Sequence, residues 1–350
     1  INARNTLSAS GSVTFRDGIC GSDSLTFIIT GVGTLHIDGA DPILGGSNLR
    51  IYTNKAINID NGITVPADSM VKVYGSIVNL LVFQNKGSNN FTVNGTADLT
   101  TVTISNTGGA VIINGVLKTA HAGGLEATAT SGGGTVSTIG STTYVNENST
   151  VEFNAASGNQ NITGSTVLET QTSGDPVNYH PYYHIIFSGG GTKTPLNVVR
   201  VDTTTNSSVT ITGNNPLVDF TAYNLGDTST LNVTPFIMDA GRLRLGTTGS
   251  GYALPWMNGN YNLPAGVVEF SNINTTRQSI KGEATHAYYK IEVTGNNVGQ
   301  SNGNINIKDS FSIKPTGILY MSNRSIVQAA AGVQTFKMFS GAKLFTANAL

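Results

Sequence analysis

A long pattern occurs twice in this chain, in the same order and with drifting spacing. One copy runs Ile113-Asn-Gly-Val-Leu-Lys-Thr119, Val151-Glu-Phe153, Gln160-Asn-Ile162 and Tyr182-Tyr-His-Ile-Ile-Phe187. The other runs Asp239-Ala-Gly-Arg-Leu-Arg-Leu245, Val268-Glu-Phe270, Gln278-Ser-Ile280 and Tyr288-Tyr-Lys-Ile-Glu-Val293. The offsets are 239 − 113 = 126, 268 − 151 = 117, 278 − 160 = 118 and 288 − 182 = 106. Order survives while loop lengths change, as in an architecture of stacked units that takes its insertions in turns. Such a chain is built for length and surface more than around a single catalytic pocket.

Apolar–x–apolar triplets fill the spaces between the copies. They include Leu35-His-Ile37, Leu49-Arg-Ile51, Ile57-Asn-Ile59, Val71-Lys-Val73, Phe91-Thr-Val93 and Val102-Thr-Ile104. Val209-Thr-Ile211, Leu243-Arg-Leu245, Ile305-Asn-Ile307 and Phe311-Ser-Ile313 continue the series. Period-2 alternation puts one face of each short strand into a core and the other into solvent. Turn formers such as Asp38-Gly39, Asn61-Gly62, Asn94-Gly95, Asn114-Gly115 and Asn258-Gly259 separate them. No stretch has a convincing helical period. The nearest, Ile326-Val-Gln-Ala-Ala-Ala-Gly332, reads better as a strand and a turn.

Two all-β folds fit. Tandem β-sandwich domains would show roughly 7 strands per ~100 residues, with linkers between domains. A right-handed parallel β-solenoid, or β-helix, would stack short strands coil on coil with no linker. No Pro/Ser linker or composition break is present, so the solenoid is expected. At about 20–25 residues per coil it would hold on the order of 15 coils and extend roughly 70 Å. The expected organisation is N-terminal solenoid coils over 1–110, a first repeat module over 111–238 and a second over 239–350. Together these would form one continuous rod, a fragment of a longer chain.

Composition narrows function. Only 11% of residues are charged and 42 of 350 are Gly, against roughly a quarter and ~7% in ordinary domains. Ser, Thr and Asn must therefore supply much of the polar surface. The net charge is −1 with no Lys/Arg run, which argues against a nucleic-acid partner. No apolar run approaches the ~18 residues of a membrane-spanning helix. The single cysteine, Cys20, makes no internal disulfide and reads as a small core residue rather than a reactive thiol.

The polar and aromatic candidates each have a structural reading beside a functional one. Asp175-Pro-Val-Asn-Tyr-His-Pro-Tyr-Tyr-His184 lies in an insertion of the first copy. His180 and His184 could bind a metal, and Tyr179, Tyr182 and Tyr183 could stack on a sugar ring. Tyr182 and Tyr183 recur as Tyr288 and Tyr289, however, and repetition favours packing. Asp38, Asp41, Asp60, Asp98, Asp219 and Asp239 are scattered, without the Asp-x-Asp or nonapeptide spacing of a calcium site. Trp256 reads as a buried loop anchor, or else as a carbohydrate platform. The sequons at Asn90, Asn94 and Asn206 are expected by chance in an Asn/Thr-rich chain. No residue is assigned a catalytic, cofactor-binding or metal-ligating role, and no enzyme activity or cofactor is expected. The rivals are a β-helix polysaccharide-active enzyme, a lyase or hydrolase, and a phage tail-spike segment.

The repeated unit resembles one found in very large surface proteins of Bacteroidota. The resemblance rests on Asn114-Gly-Val-Leu-Lys-Thr119, Ser149-Thr-Val-Glu-Phe-Asn154, Gln160-Asn-Ile-Thr-Gly164, Tyr182-Tyr-His-Ile-Ile-Phe187 and Gly189-Gly-Gly-Thr-Lys-Thr194. It is clear over 111–215, looser over 239–320 and weak over 1–110. Those proteins are similar to repetitive adhesins exported by type IX secretion, including SprB-type gliding-motility adhesins. The resemblance implies a secreted, cell-surface segment for attachment or gliding. Its implied partners are extracellular surfaces or glycans, neighbouring repeats of the same chain, and outer-membrane secretion or motility machinery. The motif is a scaffold signature and carries over no catalytic residue. The expected contact regions are the loops 165–181 and 246–262.

Overall fold

In a computed structural model the chain divides into two compact units, Ile1–Ile185 and Ile186–Leu350. The structure describes 92–101, 111–125, 145–163, 182–201, 207–223, 225, 235–246, 261–282, 287–299, 303–329 and 334–346 with their side chains. Outside these ranges it describes only the backbone of the strands. Among the described residues there is no helix, and the strand pairs run parallel. Tandem sandwiches would need antiparallel ladders. All ten apolar–x–apolar triplets fall on strands, Val102 alone lying one residue outside its strand Thr103–Asn106. Ile326–Gln328 is also a strand.

In the first unit the chain visits three parallel sheets in a fixed cyclic order. Ile63–Val65, Met70–Gly75 and Val82–Asn85 are followed by Phe91–Val93, Thr96–Asp98 and Thr103–Asn106. The next turn is Val111–Ile113, Val116–Thr119 and Val136–Ser137. Each strand pairs with its equivalent one turn earlier. Along one sheet the partners are Thr6↔Thr26, Leu25↔Leu49, Asn48↔Met70, Met70↔Thr96, Thr96↔Val116 and Val116↔Thr150, so the returns are 20, 24, 22, 26, 20 and 34 residues. Cyclic order with parallel returns is consistent with a β-solenoid. The long return holds the Gly-rich insertion between Thr119 and Thr150.

The second unit is more regular. One sheet runs through the partners Thr192↔Leu217, Leu217↔Arg242 and Arg242↔Val267, each a step of 25 residues, then Val267↔Lys290, Lys290↔Ser310 and Ser310↔Thr335, steps of 23, 20 and 25. Strands such as Ser208–Ile211, Leu217–Phe220 and Arg242–Leu245 alternate half-buried and buried residues. The inward rows are therefore continuous. Val218, Leu243, Val268, Ile291 and Phe311 form one, and Phe220, Leu245, Phe270, Val293 and Ile313 form the other. Burying each such side chain is worth about 1.5–3 kcal/mol. These rows are the core, because no single coil could cover its own apolar face.

Among the described residues, Asn94-Gly95 and Asn114-Gly115 make corners between strands of different sheets rather than hairpins. At Asn114-Gly115 both backbone N–H groups donate to the Val93 carbonyl, each at 2.8 Å. The Asn114 side chain donates to Asn94 Oδ1 at 2.8 Å and accepts from Asn146 Nδ2 at 2.7 Å, so three corners are tied by an asparagine ladder. A Cβ on Gly115 would lie 2.2 Å from the Gly95 carbonyl oxygen. Only glycine allows the corners to stack this closely.

Candidate functional site

The residues that define the repeat hold one coil to the next. In the first copy, Thr119 O accepts from the backbone N–H of Asn154 at 2.8 Å and from Gln160 Nε2 at 2.7 Å. Gln160 Oε1 accepts from the backbone N–H of Ala155 at 3.1 Å. The second copy repeats each bond. Leu245 O accepts from Ser271 N–H and Gln278 Nε2, both at 2.8 Å, and Gln278 Oε1 accepts from Asn272 N–H at 3.1 Å. Both glutamines are buried, and each side-chain amide is satisfied by one backbone carbonyl and one backbone N–H.

The repeated tyrosines belong to the same device. Tyr182 is fully buried, meets Phe153 edge-on at 6.2 Å and donates its hydroxyl to Thr163 O at 2.7 Å. Tyr288 meets Phe270 edge-on at 6.4 Å and donates to Lys281 O at 2.7 Å. A buried tyrosine whose hydroxyl is satisfied is a packing element, so sugar stacking by Tyr182 does not apply. Tyr183 is also buried, edge-on to His184 at 4.8 Å. Burial pushes the His184 imidazole below its ordinary pKa. Asp175, Tyr179, His180, Cys20, Trp256, Asp38, Asp41, Asp60 and the loop 165–181 lie outside the described residues. So does the loop 246–262, apart from Gly246, Tyr261 and Asn262.

The described aspartates are structural in their contacts or exposed. Asp98 Oδ1 accepts from the Thr100 backbone N–H at 3.3 Å, steadying a residue with φ of 50°. Asp219 Oδ1 accepts from Thr221 N–H at 3.1 Å. Asp239 is exposed. Among the described residues no group of three or more His, Cys, Asp and Glu is placed to hold a metal ion.

The carboxylates that look scattered in sequence gather in space on the outward face of the second unit. Asp219, Arg244, Glu269 and Glu292 occupy one outward row by register. Arg244 Nη1 meets Asp219 Oδ2 at 3.1 Å, and its Nε lies 3.2 Å from Glu269 Oε2 without hydrogen-bond geometry. Arg242 Nη1 donates to Glu269 Oε2 at 3.0 Å and to Glu292 Oε2 at 2.6 Å. Lys314 Nζ meets Glu292 Oε1 at 2.9 Å, and the Thr294 hydroxyl donates to Glu269 Oε1 at 2.9 Å. In the first unit the matching pair is Lys118 and Glu152, 2.9 Å apart.

This network spans five coils and balances three carboxylates with three cations. Burial works to raise the Glu292 carboxyl, but hydrogen bonds and charge from Arg242 and Lys314 outweigh it and hold the pKa below the usual value. Burial likewise opposes the Arg242 charge, and Glu292 and Glu269 more than compensate. A general acid for glycoside cleavage needs a raised carboxyl pKa, and Glu292 is shifted the other way. The network ties neighbouring coils by charge. A sequence signal for it existed: Asp219, Arg244 and Glu269 recur at 25-residue steps.

No family model, no curated protein and no solved structure matches this chain.

Proposed function

We propose that this chain is a segment of a secreted, cell-surface, repetitive β-solenoid protein that mediates attachment or gliding through many weak contacts. One observation carries the reading: the residues that recur between the copies, Gln160 and Gln278, Tyr182 and Tyr288, Glu152 and Glu269, are spent on binding coil to coil. A sequence that preserves its stacking devices and varies its loops is under demand for a scaffold. A scaffold that repeats contact surfaces gains avidity from effective concentration, without any single strong site. The resemblance of the 111–215 region to Bacteroidota surface adhesins supports the same reading. The neighbouring repeats of the chain, extracellular glycans or solid surfaces, and an outer-membrane export or motility apparatus are the partners it requires.

The test uses intact cells that carry the native protein. Surface protease treatment should release peptides of this chain, and the soluble 350-residue chain added in excess should reduce attachment of cells to glass. A chain that stays protease-protected in intact cells, and does not compete for attachment, overturns the proposal. The rival reading, a polysaccharide-active enzyme, predicts new reducing ends or unsaturated products when the chain is incubated with polysaccharides.

A further inference from the structure

The turn between Phe270 and Gln278 is the long one of its series. It joins the strands Val267–Phe270 and Gln278–Ile280 through seven residues, 271–277. The next three coils make the same turn in four residues, 294–297, 314–317 and 339–342. The three extra residues form a projection. Residues 273–277 are all exposed, and Ile273, at 76%, is the most exposed large apolar side chain among the described residues.

The projection is held rigidly from below. Asn272 is fully buried, accepts on Oδ1 from Asn274 N–H at 3.0 Å, and donates from Nδ2 to Thr276 O at 2.7 Å and Asn297 O at 3.1 Å. Asn297 Nδ2 donates to Asn274 O at 2.9 Å and Thr275 O at 2.7 Å. The carbonyls of 274, 275 and 276 are thus all engaged. The Arg277 guanidinium lies 4.0 Å over the Tyr320 ring. By contrast, the side-chain amide of Asn274 and the hydroxyls of Thr275 and Thr276 make no hydrogen bond among the described residues.

A fixed backbone with unengaged neutral hydrogen-bonding groups around one apolar side chain is prepared for a ligand of matching chemistry. Ordering such a loop in advance removes much of the entropy cost of binding. The equivalent turn of the first copy keeps the glutamine brace at Gln160 but carries Ala156-Ser157-Gly158-Asn159 at its tip. The frame is repeated and the tip differs, as expected if the tip sets what is bound.

We propose that the loop 271–277 is a binding site for neutral polysaccharide. Sugar hydroxyls would bond Asn274, Thr275 and Thr276, and an apolar C–H face would rest on Ile273. The loop holds no carboxylate, and its one cation is turned onto Tyr320, so an uncharged ligand fits better than an acidic one. This inference deepens the attachment reading above and rests on it.

The full chain is tested for retention on immobilised cellulose, chitin and dextran, with alginate as the acidic comparison. Retention on at least one neutral polysaccharide is expected. It should fall roughly tenfold in Ile273→Asp and in the triple variant Asn274→Ala/Thr275→Ala/Thr276→Ala, with unchanged melting temperatures, while Ala156→Asp binds like the parent. Equal retention of the parent and both loop variants, retention on alginate alone, or no retention on any polysaccharide overturns the inference. If the chain binds no polysaccharide yet still blocks attachment of cells to glass, the glycan site fails and the attachment reading stands.

Discussion

Gln160 and Gln278 make the same pair of side-chain hydrogen bonds in different coils. Each donates to a carbonyl one coil earlier, Thr119 O at 2.7 Å or Leu245 O at 2.8 Å, and each accepts a backbone N–H from its own turn at 3.1 Å. Removing such a side chain takes an acceptor from a buried backbone N–H, at about 1–3 kcal/mol, and one donor from a carbonyl that keeps the N–H of Asn154 or Ser271. Gln160→Ala and Gln278→Ala should each destabilise by about 1–3 kcal/mol. Because stability in a stacked fold is local, amide hydrogen exchange is the sensitive readout. Protection should drop at Ala155 in the first variant and at Asn272 in the second. Unchanged exchange at those amides would remove the clamp from the account.

The charge network should make the second unit sensitive to acid. Glu292 has a folded pKa below its ordinary 4.5. Its contribution is therefore complete above the unfolded value and is lost as pH falls through the folded one. Thermal melts between pH 7 and pH 3 should show a declining acid limb, and Glu292→Gln should flatten it. Arg242→Met takes a partner from both Glu269 and Glu292. It should cost about 1–3 kcal/mol, between the values for exposed and buried pairs, and the loss should shrink little in salt if the pairs are as sheltered as Glu269 is.

Strand placement was legible because alternation is local: each triplet needs only its own neighbours to declare which face is apolar. Pairing was less legible. Partners sit 20 to 34 residues apart in the first unit, and the variable part of that spacing lies in loops without periodicity. For this reason Asp219 and Arg244 look isolated in sequence and touch in the fold. Their common 25-residue step is readable only once the coil length is known. The buried glutamines illustrate another limit. Repetition marks Gln160 and Gln278 as matched but does not say where they lie, and their burial is explained by the backbone groups of two coils that their amides bond. Loop 271–277 was hidden because its distinguishing property, three residues beyond the turn length of its neighbours, exists only relative to aligned coils.

Lys193 occupies an inward position, in register with Val218, and is fully buried. Desolvation lowers its pKa from 10.5 to about 8. Between those values the unfolded chain binds the proton and the folded chain does not, so stability rises with pH across that window. Below pH 8 both states are protonated, and Lys193 adds no pH dependence. The melting temperature should climb from pH 8 to pH 10.5, and Lys193→Met should abolish the climb. A flat profile in the parent would show that the ammonium keeps an ordinary pKa in the fold.

One corner separates backbone packing from side-chain bonding. Asn114→Ala breaks the two ladder bonds to Asn94 and Asn146. Those bonds are exposed to water, which replaces them, so the cost should be about 0.5–1.5 kcal/mol. Gly115→Ala places a methyl 2.2 Å from the Gly95 carbonyl oxygen and 2.3 Å from the Asn94 carbonyl oxygen. These neighbours are backbone, fixed by the coil below, and cannot move aside without opening the parallel ladder between Thr96–Asp98 and Val116–Thr119. Gly115→Ala should therefore be the more damaging by roughly 2 kcal/mol or more, a size typical of overpacking. Chemical denaturation of the two variants, followed by exchange at Val116, decides the order. If Asn114→Ala proves the worse, side-chain stacking rather than backbone approach sets the spacing of the coils.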